Sequence, residues 1–357
     1  MIITFKYRVK DATVGKHLSR HAWACNQVWN YCNQTQREAE RRWKAGLKVR
    51  WPSAFDLIKL CTGSAAELGL HSDTVQTICR EYAAKRDVNR GHLRWRASGG
   101  SKRALGWVPF IPRAVKIDGA HCTYLKRKFH FWKSRDIVGT FKSGSFVQDA
   151  RGRWYVCFQC EVPEAAPKAG PEIGIDLGLK TLAVLSDGRK IKNPTHFRRY
   201  EAALAVAQRA GNRQRAKAIH AKIANARRHF LHEQSTALVM EFGHVVVGNV
   251  SSAKLAKTRM AKSVLDAGWS SFRHMLSYKA QKGGAMYTEA DERMTSRACS
   301  CCGMVPDSSP KGMSALGVRH WACSNCGASH DRDVNAAKNI LRVGAERRPL
   351  AGEIPVL

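Results

Sequence analysis

Two closely spaced cysteine pairs near the C-terminus limit most strongly what this chain can fold into. Two residues separate Cys299 from Cys302 and Cys323 from Cys326, and 20 residues lie between the pairs. Two such pairs on tight turns can supply four thiolates to a closed tetrahedral zinc site. We therefore predict a structural Zn²⁺ ion here, with no coordination position left open for catalysis.

The balance of charge predicts a polyanionic partner. The chain has 60 Lys and Arg against 28 Asp and Glu, a formal net charge of +32. Such an excess repels itself, and nucleic acid is the usual partner that compensates for it. No apolar run approaches the ~20 residues of a spanning helix, and the N-terminus is typical of a strand rather than a signal peptide. We expect a soluble, cytoplasmic protein without membrane contact, whose cysteines are thiols or metal ligands.

Hydrophobic periodicity changes along the chain. Apolar residues spaced by three and four predict a helix face, and they are Val14, Leu18, Ala22, Cys25, Trp29 and Cys32. From Trp107 to Val162 the period is two, which predicts a small β-barrel completed by the N-terminal strand. A Pro- and Ala-rich linker follows from Pro163 to Pro171. A buried-type strand then covers Ile173 to Gly178, and a long basic helical stretch runs from about Phe197 to Phe242.

Two aspartates stand where a metal could be held. Asp176 lies between glycines at the end of the strand Ile173 to Gly178. Asp333, Ala337 and Ile340 are spaced as i, i+4 and i+7, so Asp333 lies at a helix start on the face that turns to the core. A carboxylate facing the core needs a partner, and a metal ion is favoured. Asp331 fits the role of helix N-cap instead.

These residues carry a resemblance to a known family. The segment Gly174 to Gly178, the two cysteine pairs and the segment Asp331 to Ala337 resemble TnpB. That family comprises the RNA-guided DNA nucleases of bacterial insertion sequences, related to type V CRISPR effectors. The resemblance implies a multidomain α+β chain with a RuvC/RNase H-like α/β nuclease core. The implied domains are a β-barrel (1–10 and 107–165), a helical recognition domain (11–106), the nuclease core (171–298 and 328–345), an inserted zinc ribbon (299–327) and a C-terminal tail (346–357).

The resemblance also implies a mechanism and reveals one departure from it. A RuvC core holds two Mg²⁺ ions between three carboxylates for phosphodiester hydrolysis. Asp176 and Asp333 match the first and third positions. The second is a glutamate directly after a buried strand, but here Val245 to Val247 is followed by Gly248 and Asn249. We prefer Glu292 as a relocated second carboxylate, with Glu289 and Asp291 as alternatives.

The partners that the resemblance implies are a guide RNA from the end of the element and double-stranded target DNA. We expect a protein monomer bound to that RNA, in the bacterial cytoplasm and associated with the nucleoid. Two alternatives remain open: a nuclease-dead RNA-guided repressor, and a guide-free zinc-ribbon DNA-binding accessory of transposition. Basic and aromatic residues are the candidate nucleic-acid contacts. They are Arg41, Arg42, Trp43, Lys44, Lys126, Arg127, Lys128, Arg209, Arg213, Lys217 and Arg228.

Overall fold

The computed structural model describes residues 1–10, 12–89, 93–311 and 314–346. The chain divides into two compact units, Met1–Pro163 and Glu164–Leu357. Both helices and several sheets are present, so the chain is of mixed α and β content. The predicted C-terminal tail from 346 to 357 lies, apart from its first residue, outside the described residues. No described helix combines the length and the apolar character needed to cross a membrane.

The first unit contains a helical part. Its helices are α1 (Ala12–Lys44), α2 (Ala54–Leu60), α3 (Ser64–Leu68) and α4 (Ser72–Asn89). The predicted face of α1 is confirmed from Leu18 to Cys32, because its apolar residues there are all buried. Ser53 begins α2 through a capping box with Asp56, in which each side chain bonds the other residue's backbone N–H. The basic segment after Arg37 is helical only to Lys44.

The strands of the first unit form two sheets. They are β1 (Ile2–Arg8), β2 (Trp107–Phe110), β3 (Val115–Asp118), β4 (His121–Tyr124), β5 (Arg127–His130), β6 (Thr140–Gln148) and β7 (Trp154–Glu161). Four of them pair antiparallel in the order β1-β7-β6-β2, and the other three pair as β3-β4-β5. A single bridge between Val9 and Phe131 lies outside the named strands. This bridge joins the ends of the two sheets, and backbone hydrogen bonds from Lys10 to His130 and from Trp132 to Arg8 flank it. The closed barrel that the alternation predicts stays a prediction.

The second unit holds the remaining elements. They are β8 (Glu172–Leu177), β9 (Thr181–Leu185), β10 (Lys190–Lys192), α5 (His196–Arg209), α6 (Arg213–Glu241), β11 (His244–Gly248), α7 (Ser252–Leu255), α8 (Ala261–Ala267), α9 (Trp269–Gly283), β12 (Met286–Ala290), β13 (His320–Ala322), β14 (Ser329–Asp331) and α10 (Arg332–Glu346). The predicted basic helical stretch consists of two helices, α5 and α6. The first ends at Arg209, and Asn212 caps the second by accepting a hydrogen bond from the Arg215 N–H.

A five-stranded sheet is the centre of the second unit. Its order is β10-β9-β8-β11-β12. The first three strands are antiparallel, whereas β11 runs parallel to both β8 and β12. The carboxyl ends of β8, β11 and β12 therefore meet at one edge. Residues that follow these three strands are brought together there, although they are far apart in the sequence.

Alternation along the strands assigns residues to the two faces of this sheet. On one face, Ile175 and Val247 share a core with Phe272 of α9. On the other, Val246 and Ala290 pack against α10. Gly174 also faces α10, because a Cβ there would stand 2.1 Å from the Ala337 carbonyl oxygen. Only glycine permits this close approach.

Candidate functional site

Asp176 lies near the carboxyl end of β8 and faces α10. It follows Gly174 by two residues, so both side chains point to the same side of the sheet. Burial, together with the negative charges of Glu292 and Asp333, raises the pKa of Asp176 to about 8. Two acidic side chains from distant parts of the sequence thus act on Asp176 at this edge. Without a cation, the ionised form of Asp176 is disfavoured.

Glu292 occupies the space beside the residue that departs from the family pattern. It follows β12 by two residues, and Gly248 pairs with Ala290 in the sheet. A Cβ on Gly248 would stand 2.1 Å from the Oε1 of Glu292. A side chain at position 248 would therefore displace the Glu292 carboxylate from this place. The glycine that ends β11 and the glutamate that follows β12 are two parts of one arrangement.

The surroundings of Glu292 suit a cation ligand. Burial raises its pKa, and this is opposed by the Val250 N–H and by the positive charge of Arg273. Its buried Oε1 has no hydrogen-bond partner among the described residues. A buried carboxylate oxygen without a partner is costly. Hard divalent cations such as Mg²⁺ bind through such oxygens, so these carboxylates fit the group that the resemblance implies.

Asp333 lies in the first turn of α10. Asp331 precedes the helix and caps it, as predicted, because its Oδ1 accepts from the N–H groups of Asp333 and Val334. Arg319 donates to both carboxylate oxygens of Asp333 at 3.0 and 2.8 Å. The three carboxylates are not close enough together to hold one ion as they stand. No choice of one oxygen each from Asp176, Glu292 and Asp333 gives three atoms that all lie within 4.8 Å of one another. Asp333 is instead paired with Arg319.

The alternative acids lie elsewhere. Glu289 belongs to β12 and alternates with Ala290, so it faces away from α10. It accepts hydrogen bonds from Arg273 at 3.2 Å and from the hydroxyl of Tyr287 at 2.8 Å. Asp291 is exposed and accepts from the Arg293 N–H. Neither residue acts on Asp176 in the way that Glu292 does.

The four predicted cysteines come together. Their four Sγ atoms, from Cys299, Cys302, Cys323 and Cys326, all lie within 4.8 Å of one another. Cys301 lies outside this group and is exposed. The Sγ atoms of Cys299 and Cys326 are 3.6 Å apart, and those of Cys302 and Cys323 are 3.8 Å apart. With Zn–S bonds of ~2.3 Å, four tetrahedral thiolates stand at about this separation. The donor set therefore fits a structural zinc ion.

Sequence reasoning missed the residues that support this cluster. His330 on β14 places its Nε2 3.0 Å from the Sγ of Cys299, and its ring packs at a tilt against the ring of Trp321. Asn335 and Asn339 on the buried face of α10 donate to the carbonyl oxygen of Ala298, each at 2.7 Å. Two asparagines spaced as i and i+4 on an otherwise apolar helix face are a signal that could have found them, because buried amides need partners.

Replacing His330 with Gln is expected to weaken zinc binding by about 10- to 100-fold, since the imidazole bonds a ligand sulfur from outside the cluster. Competition with a chromophoric zinc chelator measures this change. His320 is exposed on the neighbouring strand and gives the matched control, so His320→Gln should leave zinc affinity as in the wild type. Equal affinities in the two variants contradict a supporting role for His330.

All the candidate nucleic-acid residues are exposed. Those from Arg41 to Lys44 form the end of α1, where the rings of Trp43 and Trp51 lie 6.3 Å apart. Lys126 lies in the turn between β4 and β5, and Arg127 and Lys128 begin β5. In the second unit, the residues that end α5 and line α6 are Arg209, Arg213, Lys217 and Arg228. Their exposure leaves them free to contact phosphates.

Two family models match parts of the chain. Residues 155–259 match "Probable transposase" (OrfB_IS605), and residues 269–340 match "Cas12f1-like, TNB domain". The first match includes Asp176 and Gly248. The second includes Glu292, the four cysteines and Asp333.

Curated relatives match a large part of the chain. A protein of Streptomyces pristinaespiralis, named "Putative RNA-guided DNA endonuclease", is 41% identical over 55% of this chain and 51% of its own length. A protein of Escherichia coli (strain K12) with the same description is 27% identical over 65% of each chain. A TnpB-like protein of Acanthamoeba polyphaga mimivirus is 30% identical over 35% of this chain and 24% of its own. The chain thus spans between half and two thirds of the first two relatives.

Among solved structures, a chain of a Cas12f1-sgRNA-target DNA complex covers 96% of this chain and 99% of its own length. It is 16% identical and has a TM-score of 0.38. At this TM-score the likeness is too weak to establish a shared fold.

Proposed function

The chain is a TnpB-type protein, and from this premise we propose that it is an RNA-guided, Mg²⁺-dependent DNA endonuclease of a bacterial transposable element. The observation that carries the proposal is the convergence of Asp176, Glu292 and Asp333 at one edge of the sheet in the second unit. Burial of the Asp176 and Glu292 carboxylates costs stability unless they serve to bind cations. A protein that only binds nucleic acid has no need of them.

The topology of the second unit supports a RuvC-like core. Three antiparallel strands continue into two parallel ones in the order β10-β9-β8-β11-β12. Asp176 is near the end of the middle strand of this sheet, and α10 brings Asp333 to the same face. We propose the domain boundaries given by the sequence for this unit, with the zinc ribbon at 299–327 between Glu292 and Asp333. The ribbon is then a brace beside the site.

The proposed chemistry follows from the donor set. Between these carboxylates, two bound Mg²⁺ ions would activate a water molecule and stabilise the leaving oxygen in phosphodiester hydrolysis. Asp176, Glu292 and Asp333 would hold them. Arg319 places positive charge on Asp333, and Arg273 acts on Glu292, which reduces repulsion among the three acids. Both arginines also add to the positive potential that draws a phosphodiester to this edge.

The proposed partners are a guide RNA and double-stranded target DNA. The relatives from Streptomyces and E. coli are named for RNA guidance. The net charge of +32 suits a chain that binds two polyanions, RNA and DNA. In such systems base pairing supplies the sequence, while the protein reads a short motif beside the target. The exposed basic residues of α6, with Arg41 to Lys44 and Lys126 to Lys128, are the proposed phosphate contacts.

The test is plasmid cleavage by the complex purified with RNA transcribed from the DNA downstream of the gene. The target plasmids carry the guide-matched sequence beside a randomised flank. We expect cutting that requires the matching RNA and Mg²⁺ and that selects one short flank. The cut products then reveal the flanking motif.

The other outcomes separate the alternative functions. Guide-dependent binding without cutting, at any Mg²⁺ concentration, replaces the nuclease by an RNA-guided repressor. A preparation that contains no RNA and binds DNA without a guide indicates an accessory DNA-binding protein. Each of these results contradicts the proposal.

A further inference from the structure

Three cysteines of the first unit converge inside its helical part. Cys32 belongs to α1, Cys61 follows α2 directly, and Cys79 belongs to α4. One Sγ of each lies within 4.8 Å of the other two, and the Sγ atoms of Cys32 and Cys79 are 3.8 Å apart. Cys32 and Cys79 are fully buried, and Cys61 is 6% exposed. We call these three residues the trithiol cluster.

The spacing within the trithiol cluster is that of sulfur atoms around one ion. A disulfide brings two sulfur atoms to ~2.05 Å. Three thiolates bound at ~2.3 Å to one ion in a plane stand about 4 Å apart. The four-cysteine cluster of the second unit shows the same range, with Sγ separations of 3.6 and 3.8 Å. The same chain thus provides an internal standard for the comparison.

Hydrophobic packing alone does not require this convergence. Free cysteine is a small apolar residue that fills cores, and Cys25, Cys122 and Cys160 are buried in the same unit. Those three do not join any group of three possible ligands within the described part of the chain. The trithiol cluster differs from them because three separate segments each point a sulfur atom at one place.

We propose that Cys32, Cys61 and Cys79 form a three-coordinate thiolate site for one thiophilic metal ion, either Zn²⁺ or Cu⁺. Soft thiolate ligands select these ions. Each thiol loses its proton to solvent as its S–metal bond forms, and the ion keeps its oxidation state. Among the described residues, no fourth His, Cys, Asp or Glu atom lies within the group, so the coordination is trigonal.

The bound ion would stabilise a region of short helices that have little stability of their own. The helices α2 and α3 have seven and five residues, whereas isolated helices need roughly 12–15 residues to be even marginal in water. Cys61 stands at the C-cap of α2. A metal bound there joins the end of α2 to α1 and α4, and binding and folding of this region become one process.

The test is the metal content of the full chain, purified without chelators under reducing conditions after growth with added zinc or with added copper. Wild type should carry about two thiolate-bound ions, one in each cluster. Cys79→Ser and Cys61→Ser should each carry about one, as should the ribbon variant C302S/C323S, which keeps only two ribbon thiolates, and the triple variant C79S/C302S/C323S should carry about none. Cys25→Ser is the matched control on α1, and it should keep two. The growth arms identify the ion as zinc or copper.

A titration with Cd²⁺ keeps the proposal decidable if a cluster variant fails to fold. The metal-free wild type should show thiolate-to-Cd²⁺ charge-transfer absorption for about two equivalents, and C302S/C323S for about one. Both proteins keep the three cysteines of the trithiol cluster. Saturation of C302S/C323S with no Cd²⁺–thiolate absorption overturns the proposal. So does a Cys79→Ser protein that folds and carries as much metal as Cys25→Ser.

Discussion

Replacing Glu292 with Gln is expected to abolish DNA cleavage while leaving guide RNA and target DNA bound. A metal-bound oxygen contributes several kcal/mol to the transition state of phosphodiester hydrolysis. Since each ~1.4 kcal/mol changes the rate tenfold, we expect a loss of about three orders of magnitude or more. Gln has almost the same shape, so the fit beside Gly248 is preserved. Single-turnover cleavage and filter binding of the same preparation measure the two effects separately.

Glu289 is the matched control for this prediction. It lies three residues earlier, faces the opposite side of the sheet and already bonds Arg273 and Tyr287. Glu289→Gln should therefore cut within a few-fold of wild type. If Glu289→Gln loses cleavage and Glu292→Gln retains it, the second carboxylate is Glu289 and the assignment is wrong.

Replacing Asp176 with Asn is expected to abolish cleavage and, at the same time, to stabilise the metal-free protein at neutral and higher pH. The pKa of Asp176 is raised by burial to about 8 in the folded chain, against ~3.9 in the unfolded chain. As pH rises between these values, the unfolded chain gives up the proton first. The folded state is therefore progressively destabilised across this range, and the amide removes that effect.

Melting curves of the metal-free proteins measure the difference. The melting temperature of Asp176→Asn should exceed that of wild type increasingly from pH 4 to pH 8, by about 2–4 °C for each kcal/mol of relief. Added Mg²⁺ should raise the melting temperature of wild type and reduce the gap, because the cation compensates the same charge. A constant difference at all pH values would show that the substitution acts through packing and not through ionisation.

The sequence predicted best those features that depend on local periodicity. The buried face of α1, the capping role of Asp331 and the core side of α10 follow from spacing along one element, and the structure places them as expected. The grouping of the four cysteines also follows from spacing, since each pair lies on one tight turn. Such features can be predicted without knowing which elements pack against them.

Features that depend on neighbouring strands could not be read from the chain. Glu289 and Glu292 look equivalent in the sequence, but one belongs to β12 and the other follows its end, so they face different surroundings. Only the pairing of Gly248 with Ala290 shows that Glu292 fills the space above the glycine. The trithiol cluster was missed for the same reason, because Cys32 and Cys79 belong to two helices and Cys61 follows a third.

Asn335 and Asn339 have a consequence for how the two metal sites communicate. From α10, both bond the carbonyl oxygens of Thr295 and Ala298, and the Thr295 hydroxyl in turn bonds the carbonyl oxygen of Glu292. Ala298 directly precedes Cys299 of the proposed zinc site, and Asp333 lies in the first turn of the same helix. We therefore expect these two proposed cation sites to be thermodynamically linked, so that by reciprocity zinc removal weakens Mg²⁺ binding as much as Mg²⁺ strengthens zinc retention.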